Sequence, residues 1–298
     1  MASVANQLPD QARIAKTPAI PWLPIVWFTV LLVVAYFPIL KHLVEQWSTD
    51  EDVGHGFFVP VVAGYIVWQR RDQILAVERR PAWWGLGVMA WGAVQGFLGS
   101  LGAELFLQRS AFLITLVGLL LVLGGAQLVR ALTFPLLLLP FMIPIPAVIY
   151  NQITFPLQLF ASRVAEQTLS ILGIPVLRDG NVLELASQKL SVAEACSGIR
   201  SLLSLSFLSL VYAYFFDKKI WMRWVLLVST VPIAILANSG RVTITGVLSE
   251  IDTELAHGFF HSLEGWVIFL IALVMLVCLH TAIYRIYAWR TARMHRHA

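Results

Sequence analysis

The sequence predicts an all-α integral membrane protein of about eight transmembrane helices, and three observations lead there. Of 298 residues, 58% are hydrophobic and only 13% are charged, whereas a soluble domain carries roughly a quarter of its residues as Asp, Glu, Lys and Arg. Mean hydropathy is +0.77. The charges also gather into short clusters between apolar runs, and a helix needs about 20 mostly apolar residues to cross hydrocarbon. These features exclude a large soluble core. The formal charge of +4 does not point to nucleic acid, because the basic residues sit at helix ends, where membrane topology accounts for them.

Taken in order, the apolar runs fall near 22–41, 54–69, 83–103, 110–128, 131–149, 199–216, 221–238 and 263–284. No small-residue cleavage site follows the first run, so it reads as a retained signal anchor behind a cytoplasmic segment, 1–21. The second run is short. The fifth holds Pro135, Pro140, Pro144 and Pro146. It is either a span whose neighbours satisfy the freed backbone groups, or a broken helix or interfacial turn from Pro140 to Pro146. The eight runs make one membrane domain, 22–284, followed by a basic cytoplasmic tail, 285–298.

Placing both termini in the cytoplasm puts twice as many Lys and Arg inside as outside, the bias that sets orientation. Of the segments that then face outward, three are informative. The first, 42–55, carries Asp50, Glu51, Asp52 and His55. The second, about 150–198, begins with Ile153, Leu157, Phe160, Val164 and Ile171 at helical spacing, which predicts an amphipathic helix lying on the membrane. It continues from Pro175 to Val192 with Asp179-Gly180-Asn181 between short Val/Leu runs, which predicts a small hairpin. The third, about 239–262, carries Arg241, His257 and His261.

One cysteine stands out. Cys278 lies within the last apolar run and reads as a small hydrophobe. Cys196, in Glu194-Ala195-Cys196-Ser197-Gly198-Ile199-Arg200, directly precedes an apolar run. A helix start offers unpaired N–H groups and a favourable dipole, which lower a thiol pKa and can hold an oxyanion. Glu194 or Ser197 could cap that helix, and Arg200 lies one turn beyond the cysteine. Arg241, closing Asn238-Ser239-Gly240-Arg241, is expected at the outer end of the seventh span. It is either an interface anchor or a fixed cation for a thiolate or oxyanion. His261 is a candidate acid or base. His257, four residues before it, suggests a metal alternative, but the spacing of His55, Cys196, Asp252 and these histidines makes no strong metal signature. Neither metal nor cofactor is expected.

These blocks together resemble the exosortases: the cysteine block, then Asn238 to Arg241, then His261 with Gly265, and upstream Gly54-His55-Gly56. The resemblance covers essentially the whole chain. It implies a membrane thiol protease or transpeptidase of the bacterial inner membrane, with Cys196 as nucleophile, Arg241 as stabiliser and His261 as acid/base. Glu194, Ser197, Gly198, Arg200, Asn238, His55 and His257 would be supporting residues. Its substrates would be exported proteins bearing a Pro-Glu-Pro-like motif, a transmembrane helix and a basic tail, cleaved at the periplasmic face. Besides membrane lipids, an accessory soluble partner would be a separate protein. Two rivals remain open from the residues themselves. A transporter would line a midplane path with polar groups, yet these charges cluster at span ends. A lipid or polysaccharide transferase could use Asp50, Glu51 and Asp52, although such a run is more often a solvated loop.

Overall fold

The computed structural model describes residues 22–192, 198–217, 219–251 and 259–297. The first expected span is two helices, α1 (Trp22–Ala35) and α2 (Phe37–Thr49), bent by 75°. Pro38 is the cause: it has no N–H for the carbonyl four residues back, and its ring clashes there. A 3₁₀ helix, Glu51–Phe57, leads into α3 (Phe58–Gln69) and a short α4 (Arg71–Leu75). Helices α5 (Gly85–Leu101) and α6 (Leu105–Ala131) form an antiparallel hairpin. Gly85, Gly92 and Gly99, seven residues apart, are buried on the face of α5 that meets α6.

The fifth expected span, 131–149, is not one regular helix. It divides into α7 (Thr133–Leu138), a 3₁₀ helix Leu139–Met142, and α8 (Ala147–Ile171), with an 85° bend across the break. Pro144 and Pro146 cannot donate to the carbonyls of Pro140 and Met142, so the α-helical ladder stops there. The expected amphipathic helix is therefore the second arm of this bent pair. The expected hairpin is present as β1 (Val176–Asp179) and β2 (Val182–Leu185), joined at Gly180, whose φ of 60° suits a tight hairpin turn. A third strand, β3 (Lys189–Ser191), extends the sheet in the order β1-β2-β3, all antiparallel.

Helices α9 (Gly198–Phe216), α10 (Ile220–Ile251) and α11 (Phe259–His297) complete the fold. They share one apolar cluster that includes Leu205, Ala213, Met222, Leu226, Ala272 and Leu276. Among the described residues, three helices are long and apolar enough to cross a membrane, within Leu105–Ala131, Ile220–Ile251 and Trp266–Trp289; counting each bent pair as one span makes five, and α5 and Leu202–Phe216 are shorter apolar helices. Exposed Trp27, Trp68, Trp91, Phe97, Trp224 and Trp266 cover the outside of the bundle, as expected where lipid replaces water as the solvent. The chain is a multi-pass helical membrane protein.

Candidate active site

Arg241 lies within α10, not at its end. The helix runs ten residues further, to Ile251, because a stripe of small and apolar residues there is covered. Asn238, Arg241, Val242, Thr245, Gly246 and Ser249 repeat at three- and four-residue spacing and are all buried, so they share one face. Arg241 is only 9% exposed and Asn238 8%. A guanidinium so far from water is rarely kept without a specific use. Along the same stripe, Thr245 Oγ1 donates to the Arg241 carbonyl at 3.0 Å and Ser249 Oγ to that of Thr245 at 2.7 Å, the local back-bonding short hydroxyls make inside helices.

The cover is α8 together with the sheet. Ala161, Ala165 and Leu169 of α8 join Leu183, Leu185, Leu190, Val192 and Val242 in one buried cluster. Polar ties hold it shut. Arg178 Nε donates to Glu166 Oε2 at 2.8 Å, Asn181 Nδ2 to Gln158 Oε1 at 3.1 Å, and Ser162 Oγ to the Gly180 carbonyl at 3.1 Å. At the tip of α10, the Ser187 hydroxyl reaches Glu250 Oε1 at 2.8 Å and Gln188 Nε2 reaches Ser249 Oγ at 2.7 Å. A small apolar cleft opens beneath α8, lined by Leu157, Leu202, Val231, Ala234, Ile235 and Asn238. Asn238 links this cleft to the Arg241 face.

His55 occupies a different element, the 3₁₀ helix ahead of α3. Its Nε2 lies 3.1 Å from the Phe141 carbonyl, which can only accept, so Nε2 carries the proton and Nδ1 the lone pair. Among the described residues Nδ1 is buried with no hydrogen-bond partner. Burial pushes the imidazole pKa down, against a smaller upward pull from the Phe141 carbonyl, and so favours the neutral ring.

Glu194, Cys196, Ser197 and His257 lie outside the described residues. Gly198 is the first residue of α9, Arg200 falls in its opening turn, and His261 falls in the opening turn of α11. Asn238 and Arg241 are thus brought onto one helix face, whereas His55 sits in a separate element. Among the described residues no three His, Cys, Asp or Glu side chains cluster as metal ligands would. Sequence reasoning overlooked His280, where Nε2 lies 3.3 Å from Asp217 Oδ2 and Nδ1 lies 2.9 Å from the Tyr212 hydroxyl. An ionisable residue inside an apolar run was the available signal. It also overlooked buried Arg109, paired with His42 Nδ1 at 3.3 Å.

The family described as transmembrane exosortase (Exosortase_EpsH) matches residues 47–278, well over half of the chain. No curated protein and no solved structure matches it.

Proposed function

Since the chain belongs to the transmembrane exosortase family, we propose that it is a thiol protease or transpeptidase acting on C-terminal sorting signals of exported proteins. Cys196 is the nucleophile, Arg241 the stabiliser of thiolate and oxyanion, and His261 the general acid/base. The Cys196 thiolate attacks the scissile carbonyl, and the tetrahedral oxyanion faces Arg241. Collapse breaks the C–N bond, and His261 gives its proton to the departing amine, which leaves with the substrate's membrane helix. Water, or an incoming amine or hydroxyl, then resolves the thioester.

The observation that carries this reading is the burial of Arg241 beneath the α8–sheet cap. Val192, four residues before Cys196, packs in the same cluster as Val242, the neighbour of Arg241. Gly198, two residues after Cys196, opens α9. The described residues that flank Cys196 in the sequence thus belong to elements packed against α10. A topology of eight crossings, with α7 and α8 together as the fifth and both termini cytoplasmic, puts this site at the periplasmic face of the inner membrane. There a Pro-Glu-Pro-like motif next to a substrate helix would arrive.

The test is processing of a sorting-signal substrate by the Cys196→Ala protein in membranes, followed by gel mobility. Loss of processing with normal enzyme levels is expected. Continued processing at the parent rate would end the thiol mechanism.

A further inference from the structure

We propose that Trp47 and His55 are positioning residues for this reaction: they hold the break between α7 and α8 and so set the angle of the helix that covers Arg241. The inference rests on the function proposed above. It begins with backbone accounting. In a continuing helix the Met142 carbonyl would accept from residue 146, but Pro146 has no N–H. The Phe141 carbonyl is likewise released where the helical turns end at Met142. A carbonyl left unpaired in a buried setting is strongly disfavoured, and both of these have side-chain donors from far away in the chain. Trp47 Nε1 donates to Met142 at 2.9 Å, and His55 Nε2 donates to Phe141 at 3.1 Å.

Beyond the break a third tie closes the clamp. Tyr150, in the first turn of α8, donates its hydroxyl to Asp52 Oδ2 at 3.1 Å. The segment from Trp47 to His55 therefore grips the chain on both sides of Pro144 and Pro146. It is itself tightly built. A Cβ on Gly56 would stand 2.3 Å from Trp47 Nε1, so only glycine lets the indole reach Met142. From this clamp α8 extends over α10, bringing Leu157 to the cleft beside Asn238, Ala161 and Ala165 to Val242, and Leu169 to Gly246. A change of angle at the break shifts α8, a 25-residue helix with Pro156 in its interior, against the face that holds Arg241. Neither Trp47 nor His55 has to touch substrate for this.

The experiment uses the full-length protein in membranes or detergent, with Trp47→Phe, His55→Gln, His55→Asn and His55→Ala. Gln can offer an N–H near the position of Nε2, whereas Asn is too short and Ala offers nothing. Two measurements are made on each: hydrogen exchange over residues 141–157, and processing rate per folded enzyme, with Cys196→Ala as the control. Trp47→Phe, His55→Asn and His55→Ala should speed exchange in that segment at least tenfold and slow processing at least tenfold. His55→Gln should bring both to within about threefold of the parent. Unchanged exchange in Trp47→Phe and His55→Ala overturns the clamp. A His55→Gln protein as slow as His55→Ala, with exchange restored, overturns the positioning role and makes the imidazole itself the active group. Processing that persists in Cys196→Ala removes the functional reading while leaving the exchange result to judge the clamp.

Discussion

Asp217 Oδ2 lies 3.3 Å from Nε2 of His280, with side-chain exposures of 5% and 11%. The pair joins the α9–α10 connection to α11, about 30 Å of helical rise from Arg241 at 1.5 Å per residue. Asp217 also accepts from the Lys219 backbone N–H at 2.7 Å, and its own carbonyl accepts from Arg223 Nη2 at 2.9 Å. Leaving one member of a buried hydrogen-bonded pair without its partner typically costs about 1–3 kcal/mol. Asp217→Asn and His280→Ala should each lower the thermal unfolding midpoint in detergent by several degrees. The double variant should fall less than the two losses added, which is the signature of coupling. Simple additivity would show that the two groups act independently.

Replacing Arg241 separates charge from shape. Lysine keeps the positive charge but loses the planar fork of donors. Loss of one oxyanion donor typically lowers turnover about 10²–10³-fold. Arg241→Lys should fall in that range, and Arg241→Ala should fall at least as far, in a processing assay normalised to folded enzyme. Parent-like processing by Arg241→Ala would remove Arg241 from the chemistry.

The two glycines flanking His55 should respond very differently to a methyl group. At Gly54 the nearest atom to an added Cβ is 3.7 Å away, an ordinary contact, but at Gly56 the Trp47 ring is in the way at 2.3 Å. Overpacking of that kind costs typically about 1–3 kcal/mol. Gly56→Ala should therefore destabilise clearly and Gly54→Ala little, as read from thermal unfolding. Equal effects would mean that the Trp47 contact is not limiting.

The pH dependence follows from His55. Its pKa is lowered from the ordinary 6.5 by burial, so the folded protein prefers the neutral ring and the unfolded chain binds the proton more readily. The stability this gives is present above pH 6.5 and is lost as pH falls through 6.5 toward the folded value. Unfolding midpoints measured from pH 8 to pH 5 should decline in the acid range, and His55→Gln should flatten that part of the curve. An identical decline in the Gln variant would assign it to other groups.

The long apolar helices α6, α10 and α11 and the turn at Gly180 were readable because hydropathy and turn chemistry are local. The far end of α10 was not. Ser239 and Gly240 look like the close of a helix, and only burial of Val242, Thr245 and Ser249 beneath α8 and the sheet, contacts distant in sequence, carries it on to Ile251. The prolines of the fifth run announced a break without its angle, since the donors that settle the freed carbonyls are Trp47 and His55, nearly a hundred residues earlier. At the site, Asn238 and Arg241 were legible as a block, and their shared buried face follows from helical spacing once α10 is known to continue. His280 was missed because its partners, Asp217 and Tyr212, come from other elements.

The continuity of α10 has a consequence for the bilayer. Arg223 and Arg241 stand on one helix, separated by about 27 Å of rise, close to the roughly 30 Å of a typical hydrocarbon layer. Pro232, midway between them, lets the helix bend but not lengthen, so that separation is an upper limit. When the surrounding lipid thickens beyond that limit, tilt and bend can no longer compensate and the hydrocarbon edge moves along α10 relative to Arg241. Lipid chain length thereby becomes a variable that changes the surroundings of Arg241 without altering a single residue.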